Sequence, residues 1–247
     1  MAVLIRGPIK LRGVGHASAK ARRESNMQRN NFSHAVMAAL FGALLLVVLQ
    51  LVPYAADVLR FERATFERGA LWLLLTSQLV HLGNAHAALN ALAFTLSLLV
   101  WSRWISLRHQ LMALAGGALG VAMLLVFDAD ANYYAGLSGA LHGLWAGNAI
   151  MLMVPQDSGA GKEPEPDAWP IRTVAVPRLR SGRQRLATVI LAVLVIKLWA
   201  QSGDSPENLT GWLQLPVYRP AHWAGLIGGM LMSVGGLLLR CVALPRK

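Results

Sequence analysis

Six separate apolar stretches, 34–56, 83–102, 108–127, 137–154, 186–202 and 221–240, constrain this chain more than any other feature. A hydrocarbon core about 30 Å thick is crossed by roughly 20 mostly apolar residues in a helix. Lipid offers the backbone no hydrogen-bond partner, so a crossing segment must be helical or part of a closed barrel. The fourth and fifth stretches are short for a crossing, yet all six fit helices. The chain is therefore expected to be an all-α, polytopic membrane protein built as a six-transmembrane-helix bundle. Composition agrees: 55% of the 247 residues are hydrophobic and 14% are charged, where a soluble domain carries about a quarter charged residues.

The net charge of +11 is concentrated between the apolar stretches. That distribution fits membrane topology and contact with anionic lipid heads, and it argues against a nucleic-acid partner. Seven basic residues in the first thirty (Arg6, Lys10, Arg12, Lys20, Arg22, Arg23, Arg29) face Glu24 alone. The 57–69 loop balances Arg60, Arg63 and Arg68 with Asp57, Glu62 and Glu67. The 102–109 turn has Arg103 and Arg108 with no acid, and the 128–136 loop has only Asp128 and Asp130. The 155–185 loop again carries an excess of basic residues, and the 202–220 loop has Arg219 beside Asp204 and Glu207. The bias alternates at each crossing. Both termini are expected in the cytoplasm, with the 57–82, 128–136 and 202–220 loops outside, in the periplasm of a bacterium with an inner membrane.

The organisation read from this pattern is a basic cytoplasmic tail at 1–33, a membrane domain at 34–240 and a short cytoplasmic tail at 241–247. A Pro- and Gly-rich cytoplasmic linker at 155–185 interrupts the membrane domain. The first apolar run reads as a retained helix, not a cleaved signal peptide. The apolar segment 69–80 is too short to cross and is expected to lie in the interface, with Trp72 at headgroup level. Cys241 is the only cysteine, so no intrachain disulfide forms.

Ionisable and amide side chains inside spans are costly in lipid and mark candidate sites. By the topology above, the second, fourth and sixth spans all run inward. The outer end of the second carries His86 and Asn90, four residues apart and so on one helix face. The fourth opens with Gly136-Leu137-Ser138-Gly139, and the sixth with Ala221-His222. Three distant segments thus bring Ser138, His222, His86 and Asn90 to one depth. A serine hydroxyl needs a base to become nucleophilic, and neutral imidazole provides one near pH 7. Amide, imidazole and backbone N–H groups can stabilise the oxyanion that follows attack. Gly225 and Gly229 on the sixth span, and Gly139, Gly143 and Gly147 on the fourth, form small-residue ridges that allow close helix contact. Taken singly, a Gly-x-Ser-Gly tetrapeptide or a Gly-x-x-x-Gly ridge is weak evidence. Their convergence at one depth carries the argument.

At these residues the sequence resembles the rhomboid family of intramembrane serine proteases. The matching features are His86-Ala-Ala-Leu-Asn90, Gly136-Leu-Ser138-Gly139 and Ala221-His222-Trp-Ala-Gly225-Leu-Ile-Gly-Gly229, covering about 57–240. The resemblance implies a dyad of Ser138 and His222 with no third acid, and an oxyanion hole of His86, Asn90 and the Ser138 backbone. His81, Gly136, Gly139, His142, Gly225 and Gly229 would support the site, and no cofactor or metal is expected. More narrowly, Leu79-Val-His81-Leu-Gly83 and Tyr134-Ala-Gly-Leu-Ser-Gly-Ala-Leu-His142-Gly143 resemble the rhombosortase branch. That branch implies a substrate with a C-terminal anchor: a Gly-Gly motif, a hydrophobic helix and a basic end. A general rhomboid protease acting on other single-span substrates is one alternative. A non-catalytic relative that binds membrane helices is another. Two departures stand out. Trp72-Leu73 replaces the Trp-Arg pair of many rhomboids, so the role of that Arg is lost or moved. His142 stands where many rhomboids have an aromatic residue that stacks on the catalytic histidine, so its imidazole could stack or compete as a base. Lys197, near the outer end of the fifth span, could snorkel to the surface or bind a substrate carboxylate.

Overall fold

The computed structural model describes residues 12–154, 182–200 and 218–243. Most of the expected 155–185 linker lies outside the described residues, as do 1–11 of the basic tail, most of the 202–220 loop and 244–247 of the C-terminal tail.

In chain order the elements are α1 (Arg12–Leu51), α2 (Ala55–Leu59), β1 (Phe61–Glu62), α3 (Arg63–Glu67), α4 (Leu73–Thr76), α5 (Asn84–Trp101), α6 (Leu107–Phe127), β2 (Tyr133–Tyr134), α7 (Ser138–Met153), α8 (Gly182–Ala200) and α9 (Arg219–Ala243). Each of the six long helices, α1 and α5 to α9, overlaps one of the six apolar stretches. Four of them, α1, α5, α6 and α9, are long and apolar enough to cross a membrane by length and composition alone. The first stretch was expected to run to residue 56, but α1 stops at Leu51. Pro53 has no backbone N–H to continue the helix, and Tyr54 turns away with φ 62°.

The outer surface is that of a protein in lipid. Phe41, Leu44, Phe127, Leu231 and Leu239 are each more than 60% exposed, a density of bare apolar side chains that water would not tolerate. In the interior, glycine takes the place of large side chains. α9 lies against α6 through Gly228, and against α7 through Gly225 and Gly229. A Cβ on Gly225 would collide with the Gly139 carbonyl, and one on Gly229 with the Gly143 backbone. A Cβ on Gly117 of α6 would come within 2.7 Å of the Ala140 carbonyl oxygen. Apolar burial gives little drive between helices in lipid, so this close backbone approach supplies the packing.

α7 is enclosed by its neighbours, with Ala140, Leu144, Ala146 and Ala149 wholly buried. Its 16 residues rise only about 24 Å, less than the hydrocarbon thickness. The peripheral helices are held by polar clamps. From α1, the Asn31 amide donates to the carbonyls of Ser102 (2.5 Å) and Ile105 (3.0 Å) and accepts from the Leu107 N–H (2.8 Å). One side chain thereby caps the end of α5 and the start of α6. Trp145 Nε1 of α7 donates to Ser97 Oγ of α5 at 2.6 Å.

The 69–80 segment contains only the short α4. Leu73 is buried, while Leu71, Trp72 and Leu75 are exposed, an apolar outer face suited to the membrane interface.

Candidate active site

The approach to Ser138 is held from several directions before α7 begins. β1 and β2 pair antiparallel, with Phe61 opposite Tyr134 and Glu62 opposite Tyr133. The Tyr134 hydroxyl donates to the Gly136 carbonyl at 2.8 Å, and the Gly136 N–H donates to the Ser77 carbonyl at 2.9 Å. The Leu137 N–H points to His81 Nε2 at 3.4 Å. Gly136 has φ 130°, a conformation that L side chains rarely adopt. A Cβ there would also lie 2.8 Å from His86 Cε1 and 3.1 Å from His86 Nε2. Glycine is required at 136 both for the turn and for the approach of His86.

α9 is anchored at its start. The Tyr218 hydroxyl donates to the Asp128 carboxylate, and the Tyr218 ring meets that of Tyr134 edge-on at 6.4 Å. Burial and the Asp128 carboxylate push the Tyr218 hydroxyl above its ordinary range, so it remains a donor. His222 then falls in the first turn of α9, one turn before the Gly225 contact with α7.

These constraints bring Ser138 Oγ and His222 Nε2 to 2.9 Å, across 84 residues of sequence. His222 is buried, at 7% exposure, whereas Ser138 is half-buried. Among the described residues, His222 Nδ1 has no hydrogen-bond partner. The His142 ring stacks on that of His222, with centroids 4.4 Å apart and planes 23° from parallel. His142 Nδ1 lies 2.7 Å from the Ser138 carbonyl oxygen, and His142 Nε2 lies 3.2 Å from Lys197 Nζ. Lys197 remains an exposed residue of α8 while its ammonium meets His142.

His86 of α5 meets His81, in the loop before it, edge-on at 4.9 Å and 88°. His81 precedes the span; burial and the neighbouring His86 bring its imidazole down to about 4, so it is neutral at physiological pH and can accept the Leu137 N–H. Asn90 is buried and donates to the His86 carbonyl at 3.0 Å. One N–H of its amide is thus turned onto its own helix, leaving the other for a ligand.

The Rhomboid domain family model matches residues 68–238 of this chain. The chain belongs to the rhomboid family. No curated protein and no solved structure matched in the corresponding comparisons. As a rhomboid it is an integral membrane protein and an intramembrane serine protease, at work in a lipid bilayer on membrane-protein substrates. Two features of this rhomboid were not foreseen from its sequence. Arg63 donates to the carbonyls of Leu125 (2.7 Å) and Asp128 (2.5 Å), tying the segment between α1 and α5 to the end of α6. An arginine in this loop therefore does bind structure, although none follows Trp72. Gln78 donates to the Ala118 carbonyl at 2.9 Å, joining the same loop to the middle of α6. Their signal in the sequence is only that they are polar residues beside apolar runs, which many loop residues share.

Proposed function

We propose that Ser138 and His222 are the catalytic dyad of this rhomboid, and that it cleaves the C-terminal anchor of secreted bacterial proteins near its outer end. The 2.9 Å contact between Ser138 Oγ and His222 Nε2 carries the reading. With Nδ1 protonated, His222 Nε2 accepts the hydroxyl proton as Oγ attacks the scissile carbonyl carbon. The carbonyl oxygen becomes an oxyanion, and its donors would be His86, the free N–H of Asn90 and the Ser138 backbone N–H. The His222 imidazolium then gives its proton to the leaving amine as the C–N bond breaks. Water, deprotonated by His222, releases the acyl group from Ser138.

The unpartnered His222 Nδ1 is in keeping with a dyad without an acid. In the fully engaged triad a carboxylate fixes the tautomer of the histidine; here the His142 stack is the contact available to orient the ring. A retained, hydrogen-bonded Ser–His pair favours catalysis over the non-catalytic helix binder. The rhombosortase-like reading rests on the residues around His81 and Tyr134–Gly143. The Lys/Arg distribution supports both termini in the cytoplasm of a bacterial inner membrane, with the site on the periplasmic side. The division into tail 1–33, membrane domain 34–240, linker 155–185 and tail 241–247 belongs to the same reading.

The test is co-expression with a secreted reporter ending in a Gly-Gly motif, an apolar helix and a basic tail. The reading expects the reporter to be shortened and released, and expects loss of release when the Gly-Gly motif is replaced. Cleavage of an unrelated single-span protein, with this reporter left intact, would instead favour the general rhomboid protease.

A further inference from the structure

Lys197 on α8 ends against a ring that itself touches both proposed dyad members, and this junction has a definite hydrogen-bond direction. A carbonyl oxygen only accepts, so His142 Nδ1, 2.7 Å from the Ser138 carbonyl, must carry the proton. In neutral imidazole the other nitrogen is then an acceptor. Lys197 Nζ, 3.2 Å from His142 Nε2, is a donor and matches it. Both edges of the His142 ring are therefore held, one by the α7 backbone and one by α8. The face of the same ring lies under His222 at 4.4 Å. With both ring nitrogens engaged, His142 has no lone pair left to take the serine proton, which favours the stacking role over that of a competing base.

We propose that Lys197 is a positioning residue for the rhomboid reaction, acting through His142 to fix the plane on which His222 rests. The chain of contact is Lys197 Nζ to His142 Nε2, His142 ring to His222 ring, and His222 Nε2 to Ser138 Oγ. A second line of contact runs from His142 Nδ1 to the Ser138 carbonyl, so the same ring also fixes the backbone beneath the nucleophile. α8 packs on α7 in the described residues and makes few contacts with α9. A shift of α8 in the bilayer would thus be felt at His222 through this ring. The proposal rests on the dyad reading above.

The test reads the reactivity of Ser138 itself, so it does not depend on the natural substrate. The full-length protein is labelled with a fluorophosphonate, which bonds to an activated serine with loss of fluoride. Lys197→Met keeps the apolar stem and removes the donor. It is expected to lower the maximal labelling rate about tenfold while leaving the half-saturating reagent concentration within about twofold. His142→Phe keeps a flat ring but removes both nitrogens; in that background Lys197→Met is expected to cost nothing further. In ¹⁵N-histidine spectra the His142 Nε2 resonance should move toward a free lone pair in Lys197→Met, with Nδ1 still protonated. The three results together would establish the relay. Equal slowing by Lys197→Met in both backgrounds, or an unmoved Nε2 resonance, would overturn it. Labelling lost in Ser138→Ala but unchanged in Lys197→Met would overturn the relay alone. Labelling that survives Ser138→Ala would remove the dyad reading beneath it.

Discussion

The side chains gathered near the N-terminal ends of α5, α7 and α9 divide into proposed reacting groups and the groups that hold them. As the proposed oxyanion donors, His86 and Asn90 are not equally engaged. The His86 ring lies against Gly136, whereas Asn90 has one N–H on the His86 carbonyl at 3.0 Å. His86→Ala is therefore expected to lower kcat about a hundredfold, and Asn90→Ala by less, in steady-state cleavage of the reporter. Equal losses would mean that Asn90 turns in the bound state. The Tyr134 hydroxyl is buried and donates to the Gly136 carbonyl. Tyr134→Phe leaves that acceptor unpaired and should lower stability by about 1–2 kcal/mol, seen as a lower Tm in detergent. The candidate residues were legible because ionisable groups stand out in apolar spans. Their supports were not: Ser77, Tyr134 and Arg63 contribute through backbone contacts that no spacing in the sequence announces.

Among the elements, the glycine contacts decide which helices can deliver the site. Gly225, one turn after His222, faces the carbonyl of Gly139, the residue next to Ser138. Gly225→Val should separate α7 from α9, lowering Tm and widening the Ser138–His222 contact, with a cost of about 1–3 kcal/mol. Gly235 lies on the same helix with nothing within 4 Å of its would-be Cβ. Gly235→Ala should be neutral or stabilise slightly, since alanine is the better helix former. Parallel thermal unfolding of the two variants checks the pair; equal effects would show that helix propensity, not packing, governs this region. The ridges on α7 and α9 could be read from their four-residue spacing. The matching glycines on α6, Gly116, Gly117 and Gly120, were not singled out, because a small-residue stripe does not say which neighbour it meets. The β1–β2 pairing was likewise invisible: two residues on each side are too few to give an alternating pattern.

Across the whole molecule, hydropathy located the six helices because lipid imposes length and composition together. The helix α1 differs from its apolar stretch at the C-terminal end, and extends beyond it at the N-terminal end. Its polar first half is helical without being apolar, and Pro53 cuts it short. Topology can be tested directly because Cys241 is the only cysteine. In a Cys241→Ser background, Asp130→Cys should react with a membrane-impermeant maleimide in intact cells, and Lys247→Cys only after the membrane is opened. The reverse pattern would invert the proposed orientation. The central claim, that Ser138 and His222 act as one unit, is tested most directly by reporter cleavage rates for Ser138→Ala, His222→Ala and the double variant. The account predicts that each single change lowers kcat by at least about a thousandfold and that the double variant is no slower than either. Cleavage that persists in Ser138→Ala, or single losses that multiply in the double variant, would contradict it.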